Sequence, residues 1–168
     1  KLIVPNSETG PVDLPVSSHD IFELHQYLTD RFGFASVEEV LSGRGLGHIY
    51  DFLNHKKNKR SVSTSKNIIA QIGIDPRADE TMAIFLKVFG CVCGNLALTH
   101  LPLGGIYLVG GMAQALTNYY ANSPFQSAFI KKGRFSSFMK QFSVHLVQDD
   151  HAALLGCISY LNDLNYKK

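Results

Sequence analysis

Apolar side chains recur along this chain at two periods, and each change of period marks an element. Ile21, Leu24, Tyr27, Leu28 and Phe32 fall three and four apart behind Ser17-Ser18-His19-Asp20, which predicts an amphipathic helix with a serine cap, closed by Gly33. Ser36-Val37-Glu38-Glu39 predicts a second, short helix. Ser36 and Glu39 have the spacing of a capping box, which gives Glu39 a structural role and leaves Glu38 free. Ser42-Gly43-Arg44-Gly45 reads as punctuation before a helix from Leu46 to Leu53, and Asn54 to Arg60 as a polar loop. Ser63 or Thr64 caps a helix carrying Ile68, Ile69 and Ile72. Asp75-Pro76 opens the longest helix, where Met82, Phe85, Leu86, Phe89, Val92, Cys93, Leu96 and Ala97 form a broad apolar face. Gly90 and Gly94 stand four apart on it and let another element pack closely.

The period shortens in three places. Lys1-Leu2-Ile3-Val4, Ile106 to Val109 and Val144 to Val147 read as short strands. A chain that begins inside a strand is expected to continue upstream. The middle strand lies between two glycine pairs, in Gly104-Gly105-Ile106-Tyr107-Leu108-Val109-Gly110-Gly111, and its composition predicts cover on both faces. A helical pattern, Ala113 to Tyr120, follows. A strand running through a glycine turn into a helix is where an α/β fold lets a ligand approach the backbone. Further short helices run from Ser123-Pro124 to Lys132 and after Gly133-Arg134-Phe135. Asp149-Asp150-His151 caps a last helix, Ala152 to Leu164, with Leu154, Leu155, Ile158 and Leu161 on its apolar side. The alternation is that of one α/β domain.

Composition narrows the function more by exclusion than by indication. A net charge of +2 with interspersed signs exerts no strong pull on nucleic acid or membranes. The longest mostly apolar run, Met82 to Leu98, contains Lys87 and reads as a buried helix. Three cysteines, an odd number, argue against a disulfide framework and for a reducing, cytoplasmic setting. Cys91 and Cys93 are two apart on a helix, so their side chains diverge by about 200° and do not converge on one ion. There is no Walker phosphate loop, no serine nucleophile elbow and no His-x-x-x-His pair.

Six short motifs then occur in one order. They are Glu8-x-Gly10, Glu38-x-Val40-Leu41-Ser42-Gly43-x-Gly45-Leu46, Gly94-Asn95-Leu96-Ala97-Leu98, the glycine-bounded strand, Phe125-x-x-Ala128-Phe129-x-x-Lys132-Gly133-Arg134-Phe135, and Leu154-Leu155-Gly156. This series resembles the carboxyl-terminal part of bacterial glucokinases, in the hexokinase branch of the actin-like ATPases. The resemblance implies an actin-like (ribonuclease H-like) ATPase half-fold, a mixed sheet flanked by helices. It implies a single carboxyl-terminal lobe over residues 1–168, whose final helix, 151–168, packs toward an amino-terminal lobe. It also implies ATP-dependent phosphorylation of glucose at the 6-hydroxyl, with Mg²⁺, by a cytoplasmic homodimer. Carried over residue by residue, it assigns Glu8, Gly10 and Glu38 to the sugar, and Ser42, Gly43, Gly110 and Gly111 to the adenosine of ATP.

The chain departs from the family pattern at two places. The histidine of the sugar loop is Pro11 here and the loop's first glycine is Thr9, which removes one sugar hydrogen bond, worth on the order of 1 kcal/mol. The family's phosphate loop and its general base, an aspartate of the amino-terminal lobe, have no counterpart in the sequence, so no catalytic residue and no metal ligand is expected within it. Two readings follow: a glucokinase represented by its carboxyl-terminal portion, or a sugar-sensing module that kept the fold without the chemistry.

Overall fold

The computed structural model describes residues 4–57, 63–121, 123–149 and 151–165. Its spine is α4, Pro76–His100, the 25-residue helix expected after Asp75. The Asp75 carboxylate accepts the Arg77 backbone N–H at 3.0 Å, Pro76 occupies the first turn, and Leu101 ends the helix with a left-handed backbone at φ 48°. α4 has the length and mean hydropathy of a membrane span, yet 61% of that window is buried inside the fold. Most of its apolar stripe therefore belongs to the core.

Among the described residues three helices precede it: α1 at His19–Phe32, α2 at Gly43–His55 and α3 at Ser65–Ala70. α1 buries Ile21, Leu24 and Leu28, and ends as expected at Gly33, which takes φ 79° and donates its N–H to the Thr29 carbonyl. Thr64 caps α3 by accepting the Asn67 N–H. Lys87, the charge inside the apolar run, leaves α4 sideways, and its ammonium lies 3.0 Å from both carboxylate oxygens of Asp20 on α1. A polar knot joins α2 to the start of α4. Tyr50 donates to Asp75 Oδ2 at 2.7 Å, while Arg77 donates to both Asp75 oxygens and, at 2.7 Å, to Asn54 Oδ1.

Two expectations about this half are corrected. No helix forms at Ser36–Glu39. Residues 10–14 pair antiparallel with 35–38 through Leu14 N–H to Ala35 O, Val37 N–H to Val12 O and Glu38 N–H to Gly10 O, each at 2.9 Å. Donors engaged across that pairing are not free for a helical ladder, and 38–40 close as a turn. α2 begins at Gly43, three residues earlier than the apolar period suggests, because Ser42 accepts the Gly45 N–H and starts the first turn there.

After α4 come β1 (Ile106–Leu108), α5 (Gly111–Ala115), a 3₁₀ turn at Thr117–Tyr119, α6 (Pro124–Ile130), a second 3₁₀ turn at Gly133–Phe135, α7 (Ser136–Met139), β2 (Val144–Leu146) and α8 (Ala152–Asn165). β1 and β2 pair in parallel, with Tyr107 opposite His145, so the helices between them form the crossover. The two strands are the whole sheet among the described residues. The strand expected over Lys1–Val4 falls outside the described set except for Val4, which is not in a strand. β1 is also less covered than expected. Leu108 is buried, but Tyr107 is 60% exposed and stacks on His145, because successive side chains of a strand point to opposite faces and here only one face is covered. The fold is α/β, mostly helical with a small sheet.

α4 packs most extensively against α6. A Cβ on Gly90 would overlap the Phe125 carbonyl, and one on Gly94 would sit 2.6 Å from the Phe129 carbonyl. Gly156 on α8 has open space where its Cβ would stand. Alanine is the better helix former at all three positions, so opposite outcomes are expected. In urea denaturation Gly90→Ala should lose about 1–3 kcal/mol through overpacking, and Gly156→Ala should gain roughly 0.5–1 kcal/mol. A second expectation concerns acid. Hydrogen bonds from Tyr50 and Arg77 hold the Asp75 carboxyl down at about 2, below its ordinary 3.8. A depressed carboxyl stabilises the fold above the unfolded-state value and loses that contribution as pH falls through the folded one. Asp75→Asn should therefore be less stable than the native chain at pH 6, and the gap should narrow between pH 4 and pH 2.

Candidate functional site

The pairing of residues 10–14 with 35–38 sets Gly10 directly against Glu38. The point where a Gly10 Cβ would stand is 3.5 Å from Glu38 Oε2 and 3.7 Å from Glu8 Oε1. Two carboxylates from different loops thus converge over one glycine, their oxygens no farther apart than twice that longer distance. A side chain at Gly10 would occupy the space between them.

Glu38 is not free, contrary to the sequence expectation. Arg44 Nη2 donates to Glu38 Oε1 at 2.9 Å and approaches Glu39 Oε1 at 3.3 Å. Glu39 completes only half of the expected capping box. Ser36 Oγ accepts the Glu39 N–H at 3.3 Å, but the Glu39 carboxylate turns to Arg44 and to His48, whose Nδ1 is 3.2 Å from Glu39 Oε2. A guanidinium nearby is a stronger partner for a carboxylate than a backbone amide. Sequence reasoning missed Arg44 and His48 because no helical or strand period links them to Glu38; a turn does.

Ser42 and Gly43 open α2, and the Ser42 hydroxyl is engaged as its cap. A Cβ on Gly45 would overlap the Val40 carbonyl, so the first turn of α2 lies against the 37–40 turn and Glu38, Ser42, Gly43 and Arg44 form one unit. Gly110 takes φ 106°, a region nearly reserved for glycine, and Gly111 starts α5. Both are exposed with open space around them, and Met112 extends to within 3.8 Å of the Cβ position at Gly43. Met112 thus brings the start of α5 near the Ser42-Gly43 start of α2. Beside it is a cleft of about 370 Å³ lined by Gly43, Arg44, Gly47, His48, Asp51 and the 63–65 segment. Burial pushes the Asp51 carboxyl up, and its Oδ1 is buried without a hydrogen-bond partner. A larger cavity, about 620 Å³, lies between the sheet, α6 and α7. Its lining is dominated by apolar residues such as Phe125, Phe129 and Phe142, and none of the residues assigned to sugar or nucleotide lines it. Its lining suits apolar groups better than a sugar.

The model of the glucokinase family matches residues 1–164. The chain belongs to the glucokinase family. It is 33% identical to the glucokinase of Neisseria meningitidis serogroup B over 141 residues, 82% of this chain and 43% of that protein. It is 31% identical to that of Marinobacter nauticus over 160 residues, 94% of this chain and 50% of that one. The crystal structure of glucokinase from an Antarctic psychrotroph superposes with a TM-score of 0.86 at 28% identity, covering 94% of this chain and 50% of that chain. That of Balamuthia mandrillaris in complex with glucose gives 0.73 at 16% identity, covering 83% and 42%, a likeness of fold. The chain spans about half the length of the curated relatives it matches.

Two motifs that carried the resemblance to glucokinases meet in space. Lys132, on the loop after α6, lies across Gly94 and donates to Asn95 Oδ1 at 2.6 Å and to the Cys91 carbonyl at 3.1 Å. Cys91 and Cys93 are buried thiols of α4, whereas Cys157 is exposed. Burial pushes the Cys93 thiol up to about 12. Ahead of α8 the Asp149 carboxylate accepts the His151 N–H at 2.8 Å, a bond in the turn before the helix and not to a first-turn donor of it; Asp150 lies outside the described residues. A thiol reagent that needs thiolate should distinguish the cysteines. At pH 8 the folded chain is expected to react rapidly at Cys157, with Cys91 and Cys93 released only on unfolding. Three equivalents reacting at one fast rate would contradict the burial.

Proposed function

We propose that this chain is the sugar- and adenosine-binding carboxyl-terminal portion of an ATP-dependent glucokinase with an actin-like half-fold, acting in the longer protein to phosphorylate glucose at its 6-hydroxyl. The observation that supports this best is the convergence of Glu8 and Glu38 over Gly10. A pyranose ring presents several hydroxyl donors at its edge. Two carboxylates a few ångströms apart can accept from neighbouring hydroxyls, and such charge-assisted bonds exceed neutral ones. Gly10 leaves room for the ring to approach, and Pro11 gives this loop no side-chain donor.

On the same reading the exposed Gly110-Gly111 turn and the Ser42-Gly43 turn face the adenosine. Ser42 acts there through the helix start it caps, since its hydroxyl is already engaged. Mg²⁺ accompanies the ATP phosphates, where it neutralises charge. Among the described residues no three acidic, histidine or cysteine groups converge to fit that ion. The general base and the phosphate loop then belong to the amino-terminal lobe. Leu154, Leu155, Ile158 and Leu161, all exposed on α8, fit a helix that packs toward that lobe. A cytoplasmic homodimer completes the proposal.

Calorimetric titration of glucose into the 168-residue chain tests the sugar assignment. Glu8→Gln and Glu38→Gln should each weaken binding by about 10- to 100-fold, the loss of one hydrogen bond to a charged group. Unchanged affinity in both would refute it. A coupled ADP-release assay with Mg-ATP should detect no turnover by this chain, because a missing general base alone lowers rate by about 10²- to 10⁴-fold. Turnover matching that of a longer chain carrying the amino-terminal lobe would place a base within these residues.

A further inference from the structure

We propose that Arg44 is a positioning residue for the sugar carboxylate of Glu38, an inference that rests on the sugar assignment above. The two oxygens of Glu38 have different surroundings. Oε1 accepts from Arg44 Nη2 at 2.9 Å, whereas Oε2 faces Gly10, across from Glu8. A glutamate on an exposed turn is free to rotate about its last torsion. A guanidinium on one oxygen stops that rotation and leaves the lone pairs of the other directed at the space over Gly10. The same positive charge offsets the repulsion between Glu8 and Glu38 before any sugar arrives.

An exposed ion pair ordinarily contributes little, because two long side chains must be ordered to make it. Two features set this one apart. The backbone of Arg44 is in the first turn of α2, which the missing Cβ of Gly45 lets lie directly on the Val40 carbonyl, so the pair is placed by the main chain. The guanidinium also approaches Glu39 at 3.3 Å, and Glu39 in turn is held by His48 in a less exposed setting, with side chains 19% and 16% accessible. Both contacts come from one nitrogen, Nη2, and arginine suits the position because its planar guanidinium is pre-organised and loses less freedom per hydrogen bond than a lysine stem.

The test is glucose titration of the 168-residue chain with R44Q, R44K, E38Q and the double variant R44Q/E38Q, each checked for folding by circular dichroism. R44Q should weaken glucose about tenfold and R44K less, the cost expected when one charge-assisted contact that orients a ligand group is lost. If Arg44 acts through Glu38, R44Q should have no further effect in the E38Q background. Its effect should also vanish for the one deoxyglucose that lacks the hydroxyl Glu38 accepts. Native affinity in R44Q overturns the proposal, and so does an equal loss in both backgrounds, which would mean that Arg44 acts independently of Glu38. If R44Q does not fold, the same comparison with R44K decides, with a loss in the native background and none with E38Q expected. Normal glucose binding by E38Q refutes the role of Glu38 and this proposal with it, and a native chain that does not bind glucose at all refutes the sugar assignment as well.

Discussion

The approach of α6 to α4 at two glycines is the constraint from which the second half of the molecule follows. With Gly90 and Gly94 one helical turn apart, the carbonyls of Phe125 and Phe129 come down onto the α4 backbone. Dispersion falls steeply with distance, so bringing two backbones into contact allows the flanking side chains to interdigitate. Phe89, Tyr120 and Phe125 meet edge to face or tilted beside this seam, and Lys132 closes its far end over Gly94. α6 lies in the crossover between two parallel strands.

The first half depends on the same device at smaller scale. Gly45 removes the one atom that would keep α2 off the 37–40 turn, and Gly10 removes the one that would fill the space between Glu8 and Glu38. Each carboxylate is on an exposed segment with few restraints of its own. What orders them is main-chain geometry, the antiparallel pairing of 10–14 with 35–38 and the start of α2, with the Arg44 contacts acting on groups already close. Long side chains that had to find one another across open surface would gain far less.

Much of this was legible in the order of residues. α3 and α4 begin where Thr64 and Asp75 cap them, and α1 ends at Gly33, because each of these residues acts on backbone groups within a few positions; Ser18 stands at the start of α1, but its hydroxyl makes no capping bond. Both described strands were found within a residue of their ends for the same local reason. Membership of the glucokinase family was carried by motif order, which needs no contacts. The short helix at Ser36–Glu39 was misread because its local capping signal competes with a pairing to residues more than twenty positions away, and the sequence holds no record of that partner.

Most of the elements, the apolar stripes that face inward and the family can thus be read from the order of residues. They depend on propensities and periods acting over at most a few turns. Folding had to bring distant segments together before Glu8 and Glu38 could face each other across Gly10 and Lys132 could rest on Gly94. Each of these is a contact between segments that no common period relates. Its existence depends on how closely segments can approach, and where α6 meets α4 and α2 meets the 37–40 turn that distance is set by a side chain that is absent.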